Sequence, residues 1–132
     1  MQAAPKVIEK YRYLIEVNSA RYDNFPTPIV AAIILTESGG RERARGGLTQ
    51  LNPANLKYSH RHCSVRHADC AIEGTIAYLH WLNQYEGGDM RRTIVAYNLG
   101  PKGAQNVDLD KSPYLAKVES ILPTTTAIMT PL

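Results

Sequence analysis

Apolar residues recur along this chain at helical spacing, three or four positions apart, and no stretch of any length alternates in the two-residue rhythm of a strand. Val7, Ile8, Tyr11, Leu14 and Ile15 make one face of a first helix through about Val17, with Pro5 suited to its first turn. Asp23, Asn24, Pro26 and Pro28 mark a turn, and Thr27 is the expected N-cap of a second helix over about residues 28–38. Gly39-Gly40 ends that helix. Past a charged loop from Arg41 to Arg45, Asn52 is placed to cap a short helix beginning at Pro53. Residues 57–69 read as an irregular loop, and Asp69 as the cap of a longer helix from about Cys70 to Tyr85 that Gly87-Gly88 stops. Asp89 caps a helix through about Asn98, and Gly100-Pro101-Lys102-Gly103 is a break. Ser112-Pro113 opens a last helix that ends at Pro123. Thr124 to Leu132 has no periodicity. The pattern predicts a mostly α single domain over residues 1–122 and a loose C-terminal tail over 123–132.

Composition changes this picture little. With 132 residues, 44% hydrophobic and 20% charged, the chain is a globular domain able to bury a core. Its net charge of +3 suits an anionic polymer such as cell wall, but no basic run is dense enough to suggest nucleic acid. No apolar stretch reaches membrane-spanning length. The start, Met1-Gln2-Ala3-Ala4-Pro5-Lys6, has no continuous apolar signal region, so a leader is expected to be absent or removed.

The candidate chemistry begins in the second helix. Val30, Ile33, Ile34 and Glu37 fall at i, i+3, i+4 and i+7, which places a carboxyl on an apolar stripe. Apolar surroundings and the negative end of the helix dipole both disfavour its ionised form. A carboxylic acid kept protonated near neutral pH is what a general acid requires. A solvated glutamate at a helix end satisfies the same spacing.

Three blocks decide between those readings. Glu37-Ser38-Gly39-Gly40, Gly47-Leu48-Thr49-Gln50-Leu51-Asn52-Pro53 and Ala96-Tyr97-Asn98-Leu99-Gly100-Pro101 occur in this order. Together they resemble the three signatures of the soluble lytic transglycosylase domain, a lysozyme-like fold that cleaves peptidoglycan. Ile72 to Leu79 resembles the family's helix with a glycine four residues before its Tyr-Leu pair, and Tyr114 lies where the family usually has a tyrosine. The resemblance covers about residues 5–122. Thr49 departs from it, since the family usually has methionine there, and so does the loop with two cysteines and three histidines.

The resemblance implies a single-acid mechanism with no cofactor. Glu37 protonates the bond between N-acetylmuramic acid and N-acetylglucosamine, then takes the proton of the muramyl 6-hydroxyl, which attacks to leave a 1,6-anhydro end. Ordinary glycosidases use two carboxylates, and Glu42, the nearest other acid in sequence, sits in a charged loop. Ser38, Gly47, Gln50, Tyr97, Asn98 and Tyr114 are the implied substrate-binding or orienting residues, with Tyr97 favoured over Tyr114 as the hydroxyl beside the acid. Gly47 is expected to let the backbone approach a sugar, and Gln50 to offer its amide to sugar hydroxyls. Ser38 either bonds the carboxyl or the N-acetyl group, or satisfies its own helix end. Trp81 and Tyr85 are expected to pack into the core. A goose-type-lysozyme-like hydrolase and a non-catalytic wall-binding module remain the alternatives.

Cys63 and Cys70, seven residues apart, suit a disulfide, if the protein works outside the cytoplasm, better than zinc, whose ligands usually come at closer intervals, and two free thiols are the remaining alternative. No metal site is expected. The implied partner is the peptidoglycan glycan strand, with no nucleic acid and no membrane span, and a larger phage or secretion assembly is possible. The periplasm or cell wall, or delivery by a phage, is the expected place of action.

Overall fold

Five α-helices carry the chain: α1 (Ala3–Ala20), α2 (Thr27–Ser38), α3 (Ala68–Tyr85), α4 (Met90–Gly103) and α5 (Pro113–Met129). Two short 3-10 helices, Pro53–Tyr58 and Leu109–Lys111, lie between them. The computed structural model describes residues 3–130, and among these there is no strand. The mostly α fold expected from the apolar spacing is the fold observed.

The central element is α2. Ile29, Val30, Ala31, Ala32, Ile33 and Ile34 are all buried, so this helix is enclosed on every side and not along one stripe alone. It packs most extensively on α5 and also on α1, while α3 packs on α4, α1 and the Pro53–Tyr58 turn. One core runs through all five helices, with Ile8, Ile15, Ile33, Ile72, Leu79, Val95 and Leu115 among its fully enclosed side chains.

Several caps form where the sequence places them. Asn52 accepts the Ala54 amide, Asp89 the Arg92 amide and Ser112 the Leu115 amide. Gly39, at φ 67°, closes α2 in the left-handed conformation and returns its amide to the Leu35 carbonyl. Gly100, at φ 83° and ψ 162°, breaks α4, and one more turn follows it.

Three expectations need correction. Thr27 is the first residue of α2 and makes no capping bond; Pro26 occupies the cap. Asp69 lies inside α3, which starts after His67, because its carboxylate is drawn to Arg61 at 2.9 Å and Asn18 at 3.1 Å. The last helix does not end at Pro123 but continues to Met129. Proline costs one hydrogen bond there, yet Thr125 and Met129 are buried and Thr125 Oγ1 donates to the Pro28 carbonyl at 2.9 Å, so packing outweighs the local break. The expected tail is therefore helical over residues 123–129, and Pro131 and Leu132 lie outside the described residues.

Candidate active site

Glu37 sits in the last turn of α2, half-buried, and α5 supplies its partner. Ser112 and Pro113 start α5 so that Tyr114 reaches back across the α2–α5 interface, and its hydroxyl donates to Glu37 Oε2 at 2.6 Å. Burial pushes the Glu37 carboxyl above the ordinary carboxylate range; the Tyr114 hydrogen bond and the positive charge of Lys117 oppose this without cancelling it. The phenol of Tyr114 is itself raised, first by its own burial and then by the Glu37 charge, so it remains a donor. Among the described residues no second carboxylate acts on Glu37.

Tyr97, on α4, occupies a different place from the one expected. Its hydroxyl donates to the Thr49 carbonyl at 2.7 Å and lies 3.2 Å from Thr75 Oγ1, with no hydrogen bond to Glu37. It joins three segments, α4, α3 and the Gly47–Asn52 turn, at a buried point. Tyr114 is thus the tyrosine at the acid, and Tyr97 is the one that holds the wall beside it. Burial raises the Tyr97 phenol and the nearby Glu37 charge raises it further.

That wall borders an open cavity of about 320 Å³, lined by Gln50, Asn52, Asn55, Tyr78, Tyr97 and Asn98 with Leu51, Leu99 and Gly100. Amides and phenols dominate it, the groups that match sugar hydroxyls. Asn98 and the 51%-exposed Leu99 stand at its rim. Gln50, Tyr97 and Asn98 are here as the family pattern implies; Asn52 is both cap and lining, Tyr78 is the tyrosine of the Tyr-Leu pair on α3, and Asn55 is a lining residue that no spacing rule distinguishes.

A family model, the transglycosylase SLT domain, matches residues 14–118. The chain belongs to that family. Membership gives this SLT domain a transglycosylase- or lysozyme-like action on peptidoglycan in general terms, and its mostly helical architecture is consistent with the lysozyme-like superfamily. No curated protein and no solved structure matches the chain.

The remaining expected site residues of the SLT domain serve its frame. Ser38 is 3% exposed; its Oγ donates to the Ile34 carbonyl at 3.3 Å and accepts the Gly40 amide at 3.1 Å, so it closes its helix end and does not bond the Glu37 carboxyl. A side chain at Gly40 would run into Val7, so only glycine lets α1 approach the end of α2. Gly47, at φ 89°, has the Val65 carbonyl 2.8 Å from where a Cβ would stand. Its close approach is therefore to the disulfide loop. Gln50 Nε2 donates to the carbonyls of Arg45 at 2.6 Å and Gly47 at 2.9 Å, which fastens the turn. Thr49 is fully buried with its hydroxyl unpartnered.

Cys63 and Cys70 form a disulfide, with Cα atoms 5.9 Å apart. Arg61, just before it, reaches the buried Glu73 carboxylate at 3.1 Å, which also receives the Tyr22 hydroxyl at 3.0 Å. Glu42 accepts the Tyr11 hydroxyl at 2.6 Å. Trp81 stacks on Tyr58 with ring centres 4.6 Å apart, while the adjoining Tyr85 is 47% exposed and not a core residue. Among the described residues no three His, Cys, Asp or Glu side chains are grouped to hold a metal, and no helix is long and apolar enough to cross a membrane.

Proposed function

We propose that this domain is a lytic transglycosylase in which Glu37 is both general acid and general base. The carboxyl protonates the oxygen linking muramyl C1 to the N-acetylglucosamine 4-position, and that bond breaks. The substrate's own N-acetyl group stabilises the positive charge at C1. Glu37, now ionised, removes the proton of the muramyl 6-hydroxyl, whose oxygen closes on C1 to give the 1,6-anhydro product. The proton count balances, and the carboxyl returns to its starting state.

The observation that carries this reading is the environment of Glu37: burial holds its pKa up, Tyr114 fixes one of its oxygens, and among the described residues no second carboxylate acts on it. Glu42, the nearest other acid in sequence, is engaged by Tyr11 and Lys10, and the buried Glu73 by Arg61 and Tyr22. A two-carboxylate hydrolysis needs a second acid across the bond from Glu37. The Cys63–Cys70 disulfide supports action in an oxidising compartment, the periplasm or cell wall.

Clearing of purified cell walls tests the assignment of the acid. Glu37→Gln keeps the shape and loses the proton, so its rate should fall by at least about a hundredfold. A variant that keeps most of the rate assigns the acid elsewhere.

A further inference from the structure

Five of the nine arginines pair with a carboxylate. The other four, Arg41, Arg43, Arg45 and Arg66, have no carboxylate partner among the described residues, and all lie on two loops that meet. Between the loops is a cavity of about 470 Å³ lined by Arg43, Arg45 and Arg66 with Gly46, Gly47 and Val65. One acid, Glu42, also borders it, but Tyr11 at 2.6 Å and Lys10 at 3.3 Å engage that carboxylate, and the Tyr11 hydrogen bond holds its pKa below the ordinary range.

The cavity has fixed walls. Val65 lies within the loop closed by the disulfide, and its carbonyl seats directly against Gly47. Gln50 ties the opposite wall by donating to the Arg45 and Gly47 carbonyls. Gln50 also lines the amide-rich cavity beside Tyr97, so the two cavities lie on either side of one turn.

We propose that the arginine cavity binds the carboxylates of the peptide stems carried by the muramyl units. This rests on the reading of peptidoglycan as the substrate. Guanidinium forks match carboxylates in two-point hydrogen bonds, and arginines without internal partners keep that capacity for a ligand. Arg66 comes from the loop closed by the Cys63–Cys70 disulfide, which holds it opposite Arg43 and Arg45.

The test uses the full chain with two polymers: native cell walls, and the same walls with their carboxyls amidated. Binding is read by co-sedimentation and cleavage by KM and kcat. The triple variant Arg43→Gln/Arg45→Gln/Arg66→Gln should bind native walls about tenfold more weakly, raise KM in step and hold kcat within about twofold. Wild type should lose the same tenfold on amidated walls, and the variant should not distinguish the two polymers. A matched loss of charge, Lys6→Gln/Lys102→Gln/Lys111→Gln, should leave wall affinity unchanged. Equal losses for both triple variants overturn the site in favour of overall charge, and an unchanged Kd for the arginine variant overturns it outright. A wild-type protein that cleaves neither polymer yet shows the predicted binding differences overturns the cleavage reading alone.

Discussion

Removing the Tyr114 hydroxyl isolates what one hydrogen bond does for Glu37. The bond stabilises the ionised carboxylate, so Tyr114→Phe should raise the Glu37 pKa further. If protonated Glu37 is the working form, activity falls as pH rises through that pKa, and the variant's descending limb should move to higher pH. Its maximal rate should also drop roughly tenfold, the orienting value of one charge-assisted bond. A pH profile of kcat/KM checks both, and an unmoved limb would remove Tyr114 from the acid's control. Linkage gives a companion expectation for Glu37→Gln. The folded-state pKa is raised, so the wild-type carboxyl favours the fold in acid and loses that contribution as pH rises through the folded value. The amide should therefore raise Tm at neutral pH, with the gain vanishing near pH 4 (about the ordinary carboxyl range). Glu37 was legible in the sequence because its position follows from helical spacing and from the Gly39-Gly40 stop. Its partner was named only through the family pattern, and Tyr97 was favoured over it. The Tyr114 contact spans 77 residues and depends on how α5 lies across α2, which no local pattern encodes.

Elements in this domain are held as much by long-range polar ties as by caps. Tyr97 fastens α4 to the Thr49 carbonyl and to α3 at a buried point. Tyr97→Phe should accordingly cost about 1–3 kcal/mol in denaturant unfolding, the penalty of an unsatisfied buried carbonyl, with a smaller loss of turnover than Tyr114→Phe. A stable variant with the larger catalytic defect would return Tyr97 to the acid. The disulfide loop is a second tie. Reduction of Cys63–Cys70 should lower stability by up to roughly 2 kcal/mol, since a short loop constrains little unfolded entropy, and should expose both thiols to alkylation. Ready alkylation of oxidised protein without reductant contradicts the bridge. The caps at Asn52, Asp89 and Ser112 could be read from residue type and the start of a helical run. Asp69 could not, because Arg61 and Asn18 compete for its oxygens. Nor could the helix beyond Pro123, where burial of Thr125 and Met129 overrides a local breaker.

At the scale of the whole molecule, the packing of the other helices around the buried middle of α2 sets one elevated carboxyl against one orienting phenol, and Tyr97 ties the same frame to an amide-lined cavity. The order of the signature blocks made the family legible, since their residues mark helix ends and turns that the fold must bring together. The linings were less so: Asn55 and Tyr78 reach the cavity through packing of the Pro53–Tyr58 turn on α3. The central claim is that one carboxyl serves both proton transfers and the substrate's own hydroxyl attacks. Mass spectrometry of muropeptides released from purified walls, before and after borohydride, tests it most directly. The account predicts muramyl ends lighter by one water than a hydrolase would leave, and unchanged by borohydride because the anhydro bond leaves no free aldehyde. Muropeptides that end chiefly in reducible muramic acid would contradict it, and would require a group that positions water beside Glu37.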